Sequence, residues 1–157
     1  MSVKAIHNFE HAVHVANEWI KSLAGEPEIG SEAQAYVVLR TVLHALRDRL
    51  QIDEVAHLSA QLPMLVRGFF FEGWVPTWHQ DTQPDSETSD QFLDEVSERL
   101  RPLSEVDVED AVYLVYALMS RRFSEGELVY VERALPSELV QRWAPSLPKT
   151  LRPMPAR

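Results

Sequence analysis

Three histidines, His7, His11 and His14, fall at i, i+4 and i+7, which sets three imidazoles on one side of a helix. An HxxxH pair of this kind can offer two ligands to a metal ion from one helix face. A complete site needs a carboxylate or another histidine from elsewhere, with groups behind it that orient the ligands. Nothing in the sequence marks those partners, and solvated histidines on a helix face give the same spacing. His44 and Asp48 lie one helical turn apart, with Arg47 and Arg49 on either side of the aspartate. A His–Asp pair can orient a general base, and it can equally be an ordinary (i, i+4) surface pair. Glu54-x-x-His57 has the form of half a carboxylate di-iron ligand set. A small metal-dependent or hydrolytic enzyme built on His44, Asp48 and His57 is therefore one reading. No cysteine is present, no serine sits in a strand–turn–helix elbow, and the five glycines form no phosphate-binding loop.

The elements that must position these residues read as helices throughout. Phe9, Ala12, Val13, Ala16, Trp19, Ile20 and Leu23 recur at helical spacing, predicting a first helix over about Ile6–Ala24, stopped by Gly25-Glu26-Pro27. Ser31 reads as the next N-cap, with Glu32 in the positive first turn. The stripe Ala35, Leu39, Val42, Leu43, Leu46, Leu50, widened by Val37 and Val38, predicts the most enclosed helix, Glu32 to about Leu50. On its helical wheel His44 and Asp48 point away from that stripe. Asp53 reads as the cap of a shorter helix ending near Gln61. Pro63 suits the first position of a helix from Met64 to about Glu72. Residues 74–89 read as a polar linker whose early part is held down by Trp74 and Trp78.

The second half repeats the plan. Ala60-Gln61-Leu62-Pro63 is echoed by Ala134-Leu135-Pro136, which sets Leu135 on Leu62 at an offset of 135 − 62 = 73. At that offset Ser31-Glu32 meets Ser104-Glu105, Val42 meets Val115, Arg49 meets Arg122 and Glu54 meets Glu127. His57 meets Tyr130, so the second half of a di-iron set is missing; Ala117 and Arg121 stand where His44 and Asp48 would recur. The helices expected here run from Asp90 to Leu100, from Ser104 or Asp107 to about Arg122, from the end of a turn and cap at Ser124-Glu125-Gly126-Glu127 to about Leu135, and from Pro136 to Trp143. The expectation is an all-α helical bundle of two pseudo-repeats sharing one core. It comprises one domain over 1–143 (repeats of about 6–73 and 90–143) and a flexible, Pro-rich, basic tail over 144–157.

Composition narrows the partners. Net charge is −9 and there is no cysteine, which disfavours nucleic acid and anionic membrane surfaces and excludes disulfides and thiolate chemistry. No apolar run has the length of a membrane span, and the N-terminal residues lack a signal-peptide core. A soluble, cytoplasmic protein, bacterial in style and without a cofactor, is expected. Phe69-Phe70-Phe71 cannot share one helix face, so part of the run Arg67 to Trp78, with Phe71 and Trp74, either faces the linker, the other repeat or a second chain, or is covered by Trp74 and Trp78 folding back.

The run His44-Ala45-Leu46-Arg47-Asp48-Arg49-Leu50, followed by Glu54, Ala56-His57-Leu58, Ala60 through Gly68 and Glu72-Gly73-Trp74, closely resembles the prokaryotic "domain of unknown function 2267" family. The second half, from Phe92-Leu93 to Leu135-Pro136, resembles a weaker copy of the same domain. The resemblance implies a duplicated helical domain and no particular activity. It directs attention to Arg47, Asp48, Gln61 and Arg67, either as a binding site or as buried hydrogen-bonded groups that lock one helix hairpin to the next. The favoured expectation is a non-catalytic helical binding module with a protein partner or self-association. The cationic tail beyond Pro145 is a further candidate recognition segment.

Overall fold

The protein is described here by a computed structural model covering residues 3–76 and 88–148. Among the described residues there are eight α-helices and no strand. They are α1 (Val3–Ala24), α2 (Glu32–Arg47), α3 (Ile52–Ala60), α4 (Met64–Phe70), α5 (Ser89–Leu100), α6 (Val108–Arg122), α7 (Glu125–Ala134) and α8 (Ser137–Trp143), followed by a 3-10 turn at Ala144–Ser146. The all-α expectation is met.

Local chemistry accounts for the helix starts. Ser31 Oγ accepts from Gln34 N–H (3.1 Å), and Asp107 does the same for Asp110 N–H (3.1 Å). Thr88 with Gln91 and Ser124 with Glu127 form reciprocal capping boxes, each side chain accepting from the other residue's N–H. Asp53 does not cap α3. The cap is Gln51, whose N–H donates to Glu54 Oε1 (3.1 Å), so Glu54 serves the helix start.

The helix ends differ from the sequence expectation in two places. The second helix stops at Arg47 instead of Leu50, because Arg49 and Leu50 N–H bond three residues back, to Leu46 and Arg47 O, tightening the last turn. The fourth stops at Phe70 instead of Glu72, and Gly73, at φ +73, turns the chain away in the left-handed region. Of the residues expected in the tail, 144–148 are described. Leu147 packs against the core, and Ser146 Oγ donates to Trp143 O (2.9 Å). The remainder of the tail (149–157) and the linker residues 77–87, with Trp78, lie outside the described residues.

One hydrophobic cluster runs from Trp19 to Trp143 and draws on both halves of the chain. Its centre is α2, which packs against α1, α4, α5 and α6 and buries Ala35, Val38, Leu39, Val42, Leu43 and Leu46 almost completely. By contrast, α1 joins the core only through its C-terminal half, where Trp19 and Leu23 are buried. Leu39 is fully buried at the middle of α2. Leu39→Ala is expected to cost about 2–5 kcal/mol, the range for an incompletely collapsing core cavity, read as a lowered urea midpoint with an unchanged slope.

Candidate functional site

The C-terminal turn of α2 and its cap carry His44, Arg47 and Asp48, and the structure directs them inward. His44 and Arg47 are buried, so the side of α2 away from its apolar stripe, where His44 is expected to be solvated or packed against the other repeat, is covered as well. The reason is the α4 hairpin, which folds over that face of α2. His44 Nε2 lies 2.6 Å from Phe69 O, so this nitrogen carries a proton and donates it to a main-chain carbonyl. Arg47 donates through one terminal nitrogen to Phe70 O and Glu72 O, both at 2.8 Å, and through Nε to Asp48 Oδ1 at 2.9 Å. Asp48, also largely covered, is held on its other oxygen by Arg99 of α5 (3.0 Å), and Arg99 in turn reaches Glu95 (2.8 Å). Asp48 thus anchors two guanidinium groups. His44 is tied to α4, with its pKa lowered by burial and by the charges of Arg47 and Arg40, against the opposing effects of the Phe69 bond and Asp48.

The same logic repeats at the end of α3. Arg67 donates through Nε to Ser59 O (2.9 Å) and through Nη2 to Leu62 O (3.0 Å). Gln61 is the C-cap of that helix, half exposed, with its own N–H turned back to Leu58 and Ser59 O. Arg49, buried, donates through Nε to Ala134 O at the end of α7 and lies 4.9 Å from the Phe92 ring centre. Carbonyls at helix C-termini carry the negative end of the helix dipole, so guanidinium donors suit them in charge as well as in hydrogen bonding. Of these, Arg49 and Arg99 were not singled out as site residues from sequence. The signal for Arg49 was its identity with Arg122, one of few exact matches when the two halves are aligned through Leu62 and Leu135.

The histidines do not converge. His57 is exposed on α3 and stacks face to face on Tyr130 of α7, with ring centres 4.9 Å apart and 7° between planes. His7, His11 and His14 are exposed on α1, and His14 meets Glu18 at 2.7 Å. Among the described residues no group of three His, Asp or Glu side chains is placed to hold a metal ion. Glu54 pairs with Arg133 (3.2 Å). The phenylalanine run is divided three ways. Phe70 is fully buried, Phe69 lies edge-on to Tyr36 (5.4 Å), and Phe71 is covered by Phe70 and Trp74 (5.1 and 5.4 Å).

Two outcomes follow from this geometry. Arg47→Ala strips donors from two carbonyls and leaves Asp48 with a single guanidinium of this pair, at a cost of about 3 kcal/mol. Arg47→Lys recovers part of it, since one ammonium cannot reproduce the fork; denaturant melts compare all three. For His44 the folded pKa lies below the unfolded one, so the unfolded chain takes up the proton first as pH falls. The contribution of neutral His44 is complete above the ordinary histidine range near 6.5 and is lost below it. Urea midpoints should fall between neutral pH and about pH 5, and His44→Gln, which keeps a donor, should flatten the part of that slope due to His44.

The family described as "uncharacterized conserved protein (DUF2267)" matches residues 16–141, from the middle of α1 to α8. No curated protein matches the chain. With its helices, its buried arginine contacts and most of its length inside that match, the chain belongs to the DUF2267 family.

Proposed function

We propose that this chain is a non-catalytic helical interaction module that works through protein–protein contact, and that its docking face is the outer stripe of α1. The supporting observation is that Ile6, Phe9 and Val13, at i, i+3 and i+7 on one helix, are 45%, 56% and 49% exposed. The polar candidates, meanwhile, are engaged with main-chain carbonyls. An apolar row of this kind on an otherwise acidic protein has the character of a contact surface. It lies N-terminal to the span matched by the family, which begins at residue 16, as an addition to the shared fold. The Arg67–Trp74 region is a weaker docking face, because its aromatic rings cover one another. The hydrolytic or metal-dependent alternative has less support, since among the described residues His44, Asp48 and His57 make contacts apart from one another.

The same proposal includes a bacterial-style cytoplasmic setting without nucleic-acid partners, in keeping with the net charge of −9 and the absence of cysteine. Among the described residues no helix is long and apolar enough to cross a membrane. It also includes an origin of the two halves by duplication. Arg49 lies over Phe92 and Arg122 over Trp19 (4.9 and 6.0 Å), and the shift in numbering that takes Arg49 to Arg122 also takes Trp19 to Phe92. His57 and Tyr130, which stack, are related by that same shift. Such reciprocity suits two like units packed through the same surface.

The test is a photo-crosslinking phenylalanine analogue placed at Phe9 in cells, with the same analogue at the exposed Glu98 as control. A discrete crosslinked species from position 9 alone, containing either a second copy or another protein, is expected. Crosslinking no different from that at position 98 would overturn the proposal.

A further inference from the structure

Arg67 and Val140 occupy corresponding positions of the two halves, under the alignment that sets Leu62 on Leu135. In the first half the Arg67 guanidinium lies across the end of α3, on the carbonyls of Ser59 and Leu62, with Ala60 O at 3.5 Å. The corresponding carbonyls of the second half belong to Glu132, Leu135 and Arg133, at the end of α7. Val140 has neither the reach nor a donor. Among the described residues no side chain donates to these three carbonyls, and Arg49 donates to the neighbouring Ala134 O. What stands beside Val140 is a cleft of about 520 Å³, walled by Gln51, Glu54, Glu132, Leu135 and Ser137. It is rich in acceptors. The Glu132 carboxylate receives the Tyr116 O–H (2.5 Å), and Glu54 meets Arg133, a half-exposed cation at the rim.

We propose that this cleft is a guanidinium-binding site, taking the planar cation of an arginine side chain or a small alkylguanidine in the place that Arg67 fills in the first half. The internal template supplies the chemistry. Helix-end carbonyls accept a fork of N–H groups there already, and a compact ammonium satisfies fewer of them at once. The Glu132 carboxylate adds a charge complement that the first half, with Ser59 at that position, lacks. The cleft and the α1 face are separate surfaces, and neither requires the other.

The experiment is a titration of the ¹⁵N-labelled full chain with ethylguanidinium, using ethylammonium as the matched cation. Amide shifts confined to residues 132–141 and Gln51–Glu54 should saturate with a dissociation constant on the order of millimolar, and about tenfold more weakly for ethylammonium. Val140→Arg should supply the guanidinium from within, raising Tm by about 2–4 °C and abolishing the titration. If that variant does not fold, Glu132→Gln, which still accepts from Tyr116, should weaken the titration. A capped Gly-Arg-Gly peptide separates the two sources: tighter binding than ethylguanidinium supports a protein-borne arginine, and equal binding supports a small guanidine. Shifts scattered over the surface, equal response to ethylammonium, or a titration unchanged in Val140→Arg or in Glu132→Gln would overturn the site.

Discussion

The constraint on which the rest of this fold depends is the need to satisfy carbonyls at the ends of short helices. A helix leaves its last four C=O groups without intrahelical partners. When the helix has only seven to ten residues, as in α4, α3 and α7, those groups make up a large share of its backbone. Helices this short are marginal in isolation and exist because they pack. Packing buries the ends, and buried unpaired carbonyls are costly. Arginines from elsewhere in the chain meet that need: Arg47 for α4, Arg67 for α3 and Arg49 for α7. The guanidinium suits the task because it stays charged and presents several coplanar donors. The direction of the helix dipole favours a cation at that end.

This arrangement links packing to function by subtraction. A buried Arg47 bound to two carbonyls and to Asp48 is not available to a substrate, and the partner of Asp48 on the far side is Arg99, on a different helix. Arg47 and Asp48 therefore tie α2 to the α4 hairpin and to α5. The recognition surfaces proposed above are ones that the core does not use. The N-terminal half of α1 is one, because the core ends near Val15 and Ala16 while the helix continues. The cleft beside Val140 is another, because a side chain that closes the first half is shortened in the second.

Contacts between the halves have a consistent chemistry. An arginine following the second helix of the first half covers an aromatic ring on α5, and the arginine that ends α6 covers an aromatic ring on α1. Cation–π contacts of this kind are each worth on the order of 1 kcal/mol, more when desolvated, as at Arg49 and Phe92, both buried. At α3 and α7 the halves also meet through the His57–Tyr130 stack. A histidine that reads in the sequence as a candidate metal ligand is, in the folded chain, one face of an aromatic contact.

The sequence by itself determined the helices, because their signals are local. The three-four spacing of Leu39, Val42, Leu43 and Leu46 defines a buried face. Ser31, Asp107 and Ser124 accept from N–H groups three residues on, within reach of a single turn. The periodicity even marked α2 as the enclosed helix. Exact helix ends were less legible, since whether Leu50 extends α2 or tightens a turn depends on what the following residues must reach. Only the tertiary structure decided what the polar side chains do. His44 and Asp48 have the spacing of a surface pair, yet His44 binds a carbonyl 25 residues away, and Arg49 binds one 85 residues away. A wheel drawn for one helix knows nothing of the hairpin that covers its polar side. Side-chain roles that depend on the end of another helix are set by the packing of the whole chain.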